Sequence, residues 1–115
     1  PIVHIECAES WKLLNQREKM YCYYFFKACW AGYRLCAFER SYESPALLIL
    51  LKILFTQDMN ELKTSCLERA ELTEEEWSQL VTYSASVFNN AGNYTSFGDT
   101  KFVPQLPKEK FWAAL

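Results

Sequence analysis

Apolar and polar positions fall into blocks that fit a series of helices with capped starts. A short helix is expected over about residues 9–14. Asn15 followed by Glu18 then forms a capping-box pattern opening a longer helix over about 16–39. Between Met20 and Phe38 its charged or glycine interruptions are Lys27, Gly32 and Arg34. Apolar side chains therefore surround nearly the whole circumference, and burial on most sides is expected. Ser44 before Pro45 reads as the start of a third helix over 45–57, because Pro at the first helical position gives up only an N–H that has no helical partner.

Asp58 with Glu61 repeats the capping signature for a fourth helix over 59–70, whose exposed side carries Lys63, Glu68 and Arg69. Thr73 with Glu76 opens a fifth over 74–91, and Glu74, Glu75 and Glu76 place negative charge where the helix dipole favours it. Trp77, Leu80, Val81, Ser84 and Phe88 keep the rhythm of one inward face, and Gly92 is expected to take the left-handed conformation that ends the helix. A loop follows, with a short strand expected between Asp99 and Val103. Pro104 and Pro107 prevent regular continuation, and a sixth helix is expected over 108–115. The fold class is mostly α, with a loop and short strand near residues 92–107.

At 115 residues the chain has room for one domain. Its 8 Phe, 7 Tyr and 4 Trp are a heavy aromatic load that something must cover. The net charge of −2 comes without a basic stripe, so nucleic acid is not an expected partner. A membrane span over Met20–Phe38 is disfavoured by Lys27 and Arg34 and by tyrosines scattered through the run. The third helix's apolar run, Ala46 to Phe55, falls short of the roughly 20 residues a span requires. Five cysteines at irregular spacing argue against a disulfide framework and for a cytoplasmic location. Pro1 at the start and Leu115 inside an incipient helix lead us to expect a single partial domain of a longer polypeptide.

Most candidate chemistry has a plainer account. A catalytic zinc needs three protein ligands, and the one histidine, His4, reads as an ordinary terminal residue. Cys22, Cys29 and Cys36 share a helix face, but neighbours are about 10 Å apart along the axis, too far for a disulfide or one ion. They read as small buried apolar residues. Cys7 and Cys66 have no histidine near in sequence to support a nucleophilic thiol. Tyr21, Tyr23, Tyr24, Phe25, Phe26 and Trp30 lack the basic companions of a stacking platform and read as core. What remains is the loop Gly92-Asn93-Tyr94-Thr95-Ser96-Phe97-Gly98-Asp99-Thr100-Lys101-Phe102-Val103-Pro104, where aromatics sit between glycines that let a ligand approach the backbone closely. Asn93, Tyr94, Phe97 and Gly98 are the candidate binding residues. Composition alone leaves Phe97 open to a second reading, as an aromatic pinning the loop to the domain.

That loop, continued by Gln105-Leu106-Pro107-Lys108-Glu109-Lys110, resembles a hallmark N-terminal segment of the dipeptidyl peptidase III family of zinc metallopeptidases. The similarity runs from about Glu6 to Lys110 and includes Leu72-Thr73-Glu74-Glu75-Glu76; after Lys110, Phe111 to Leu115 depart from the family's more polar pattern. The resemblance implies a two-lobed protein with a wide cleft, of which this chain is the helical start of the barrel-bearing lobe. It also implies that Phe97 and its neighbours Gly98, Asn93 and Tyr94 line the cleft and meet short peptide substrates. In such a parent, zinc held by two His and a Glu polarises a water and the scissile carbonyl, with another Glu as base.

The family's His-Glu-x-x-x-His signature has no counterpart between Pro1 and Leu115. No catalytic or metal-binding residue is therefore expected in this segment, which by itself is expected to be inactive and to need the zinc-bearing remainder as partner. Isolated, it should show sticky surface, because its covering lobe is missing. The rival reading is a non-enzymatic helical module that binds a partner protein.

Overall fold

The computed structural model describes residues 6–115; His4 lies outside the described residues. Six helices follow one another: α1 (Ala8–Leu13), α2 (Gln16–Arg40), α3 (Ser44–Leu54), α4 (Met59–Glu68), α5 (Glu74–Asn90) and α6 (Lys108–Ala114). The mostly helical class read from the sequence is what the structure has. Both complete capping boxes form. Asn15 Oδ1 accepts from Glu18 N at 3.0 Å while Asn15 N donates to Glu18 Oε2 at 2.8 Å. Thr73 Oγ1 accepts from Glu76 N at 3.2 Å while Thr73 N donates to Glu76 Oε2 at 2.8 Å. At α4 the box is half made: Asp58 Oδ1 accepts from Asn60 N and Glu61 N. Each bond satisfies an amide that the first helical turn leaves without an intrahelical acceptor.

Helix ends depart further from expectation than starts. α3 stops at Leu54 instead of Gln57, because Thr56 Oγ1 turns back onto the carbonyls of Lys52 and Ile53 at 2.9 and 2.7 Å. α4 stops at Glu68 instead of Ala70; Glu71 enters the left-handed region at φ 53°, and Leu72 N donates back to Cys66 O at 3.1 Å. α5 also ends at a left-handed residue, with the six-to-one bond of a Schellman end. Ala91, not Gly92, takes the left-handed position at φ 54°, and Gly92 N donates to Val87 O at 2.9 Å. Ser44 differs as well: Glu43 occupies the cap position, and the Ser44 hydroxyl serves a tertiary contact instead. The strand expected over Asp99–Val103 is reduced to one antiparallel bridge between Tyr94 and Lys101.

α3, α4 and α5 surround the core, with α2 against α3. Leu48, Leu51 and Leu54 of α3 meet Leu62 and Cys66 of α4 and Trp77, Leu80 and Val87 of α5. Ser84, on the same inward face of α5, is buried with its hydroxyl donating to Leu80 O at 2.8 Å. α6 closes one end through Ala114 and through Phe111, whose ring meets Tyr83 edge-on at 5.8 Å. Tyr83 also meets Phe102 edge-on at 6.0 Å, so α5 orients both the loop exit and α6.

The expected burial of α2 is not found. Tyr21, Tyr23, Tyr24, Phe25, Phe26 and Trp30 are between 51% and 68% exposed, Cys29 and Cys36 are exposed, and Cys22 is half-buried. The helix reaches the core through Ala37 and half-buried Tyr33, whose hydroxyl donates to Phe88 O at 2.6 Å. No other described element covers the rest: an all-round apolar pattern marks a surface that could be buried, and these residues leave it exposed. Among the described residues no helix is long and apolar enough to cross a membrane.

Candidate functional site

The loop leaves α5 through a tight corner. A Cβ at Gly92 would stand 2.1 Å from Ser44 Oγ and 2.7 Å from Arg40 Cγ, and Gly92 has φ 151°, so both space and backbone demand glycine. Asn93 follows, only 5% exposed. Its Oδ1 accepts from Ser41 Oγ at 2.8 Å, and its backbone N–H donates to Ser44 Oγ at 3.3 Å. Ser41 Oγ and Ser44 Oγ lie 2.6 Å apart, within hydrogen-bond distance of each other, and Ser44 Oγ lies 3.2 Å from Asn93 Oδ1. Asn93 Nδ2 donates outward to Glu43 Oε2 at 3.3 Å. Asn93 thus acts in this chain as the buried root of the loop.

From this root a miniature hairpin projects. Phe102 N donates to Asn93 O and Thr95 N to Thr100 O, both at 3.0 Å. Lys101 reaches Glu43 Oε1 at 2.7 Å and lies 5.8 Å from the centre of the Tyr94 ring, within reach of a cation–π attraction. The tip is tied internally: Thr95 Oγ1 donates to Phe97 O, and Thr100 Oγ1 to Gly98 O. Asn90 Oδ1 accepts from both the amide and the hydroxyl of Ser96, lashing the tip to the end of α5.

The outcome is an ordered loop whose aromatic faces water. Phe97 is 95% exposed, which in this chain rules out the reading that it pins the loop to the domain. Gly98 has φ 95°, and a Cβ there would meet nothing within 4 Å, so its glycine serves backbone conformation and leaves open space beside Phe97. Tyr94 is half-buried. The loop's inner side, with Thr95, Phe102 and Gln105, borders an open groove along Tyr83, Thr82 and Asn90 of α5.

Asn93, Tyr94, Phe97 and Gly98 lie together in one loop, and sequence reasoning missed Ser41, Glu43, Ser44 and Lys101, which hold it. Ser41 and Ser44 sit 52 and 49 positions from Asn93, and next to Pro45 a serine reads first as a helix cap. Elsewhere, Cys66 is buried, and burial pushes its thiol up, away from the reactive thiolate. Glu74 pairs with Lys63 at 2.7 Å and Glu76 with Lys110 at 2.7 Å, structural roles for helix-start carboxylates. Among the described residues no three His, Cys, Asp or Glu side chains come together to hold a metal.

Comparison with known proteins puts the chain beside peptidases. Nearly all of it matches a segment of dipeptidyl peptidase 3, as the loop sequence led us to expect. It is 42% identical over 109 residues to that protein of Nematostella vectensis, covering 93% of this chain and 15% of the relative. The figures are 44% over 107 residues, 92% and 14% for Homo sapiens, and 37% over 110 residues, 96% and 16% for Dictyostelium discoideum. The chain therefore spans about one seventh of the length of the curated relatives it matches. No family model matches the chain, and no solved structure does.

Proposed function

We propose that this chain forms one wall of the peptide cleft of a zinc-dependent dipeptidyl peptidase, which releases dipeptides from the N-termini of short peptides. The supporting observation is Phe97: an aromatic 95% exposed on a loop held at root, limbs and tip, within the stretch that carries the family resemblance. Holding a phenyl ring in water is unfavourable by about 1.5–3 kcal/mol relative to burying it, so an ordered, presented ring suits contact with a ligand. Gly98 leaves room for a peptide backbone beside it, Tyr94 borders the same surface, and Asn93 contributes by fixing the root.

The described residues do not fit zinc, so in this reading the metal is held by the parent chain outside this segment, and the segment alone is inactive. The segment belongs to the barrel-bearing lobe, with the zinc-bearing remainder as its partner and the cytoplasm as its location. The rival, a helical module that binds another protein, suits the exposed face of α2 equally well; the far greater length of the relatives favours the peptidase.

Phe97→Ala in the full-length peptidase is expected to lower kcat/KM for peptides by about tenfold, roughly 1.4 kcal/mol of transition-state binding. Zinc content, read by atomic absorption, should not change. Wild-type peptide kinetics in this variant would overturn the cleft-wall role.

A further inference from the structure

Both limbs of the aromatic loop converge on one carboxylate. The entering limb donates from Asn93 Nδ2 to Glu43 Oε2 at 3.3 Å, and the leaving limb donates from Lys101 Nζ to Glu43 Oε1 at 2.7 Å. Glu43 itself sits at the cap of α3, one residue before buried Ser44, whose hydroxyl meets the Asn93 backbone. The carboxylate is thus fixed to the α2–α3 corner, and each of its oxygens receives one limb. We propose that Glu43 is a positioning residue for the loop: by gripping both limbs it sets the pose in which Phe97 is presented to peptide. The proposal rests on the cleft-wall reading above.

Alternative accounts of Glu43 explain less. As a stabilising ion pair it would matter little, since it and Lys101 are about half exposed and such pairs contribute little to global stability. As a helix cap it is idle, because its side chain makes no bond to the first turn of α3. What it adds is an anchor on the α2–α3 corner for two limbs that otherwise meet through the two backbone bonds of the Tyr94–Lys101 bridge, the Thr100 N–H donating to Thr95 Oγ1 at 3.2 Å, and the Lys101–Tyr94 cation–π contact. A two-residue-wide ladder is too short to hold one geometry by itself. The Lys101 bond first, and then the Asn93 bond, hold the Glu43 carboxyl below its ordinary pKa, which favours the charged form that both donors need.

The test is made in the full-length peptidase. Glu43→Ala is expected to raise KM for a peptide substrate about five- to tenfold, the scale of losing a charge-assisted hydrogen bond, while kcat changes less than about twofold. Glu43→Gln, which can accept from only one limb at a time, should fall between. In a Phe97→Ala background the Glu43→Ala change should add no further rise, because a residue acting through the aromatic loses its effect when the aromatic is gone. A full additional rise there would overturn the proposal, as would an unchanged KM in Glu43→Ala alone. Amide exchange separates the two levels: Glu43→Ala should speed exchange at Thr95 and Phe102 while leaving the α5 core protected. Unchanged exchange at those amides overturns the clamp whatever Phe97 does, whereas unaltered kinetics in Phe97→Ala overturn only the cleft reading.

Discussion

Ser44 shows how one residue can carry two meanings, only one of which is visible in the chain order. Beside Pro45 it reads as a helix cap; in space its hydroxyl fills the position a Cβ at Gly92 would need and receives the Asn93 amide. Gly92 was legible as a residue for an unusual backbone, but its reason was not, since Ala91 makes the left-handed turn and Gly92 makes the close approach. Gly92→Ala should therefore cost about 2 kcal/mol or more, from a forced shift of Ser44 and Arg40 together with backbone strain. A thermal melt of the full-length protein is expected to show a lower Tm. An unchanged Tm would mean that the corner yields freely. Phe97 is the converse case: the sequence singled it out, and in the structure its ring is 95% exposed.

Helix starts were readable because a cap and its partner lie three residues apart, so Asn15–Glu18 and Thr73–Glu76 announce themselves. Helix ends at Leu54 and Glu68 were not, because they depend on a threonine folding back and a glutamate adopting a positive φ, which many sequences permit. The Thr73–Glu76 box also joins α5 to α6, since Glu76 Oε2 accepts from Lys110 Nζ, which in turn reaches Glu71 O at 2.9 Å. The Lys110 bond first, and the Thr73 amide next, hold the Glu76 carboxyl below its ordinary value. A depressed carboxyl stabilises the fold fully above its unfolded pKa and loses that contribution as pH falls through its folded value. Acidification below the usual glutamate range is thus expected to weaken the α5–α6 junction, seen as a falling Tm. Glu76→Gln should start lower at neutral pH and show a shallower acid decline; an identical decline would dissociate the pair from acid sensitivity.

As a whole the chain is elongated, 50 × 31 × 23 Å, with a radius of gyration of 16.8 Å against about 13 Å for a compact domain of 100 residues. The cause is α2, 25 residues long and seated on the core only near its C-terminal end, at Tyr33 and Ala37. Its patterning led us to expect burial on most sides, and the described elements leave most of its aromatics exposed, since periodicity reports an apolar surface without naming a neighbour. The isolated 115-residue chain is expected to bind hydrophobic dyes and to self-associate through α2, as large contiguous apolar patches do. A dye-silent monomer in sedimentation would contradict this.

The same geometry sorts the four tryptophans. Trp77 is 9% exposed in the core, whereas Trp11, Trp30 and Trp112 are 43%, 54% and 62% exposed. Three indoles therefore face water and one is sheltered, so intrinsic fluorescence carries two separable signals: Trp77 reports whether the helical body is folded, and the solvated three report whether anything has come to lie over it.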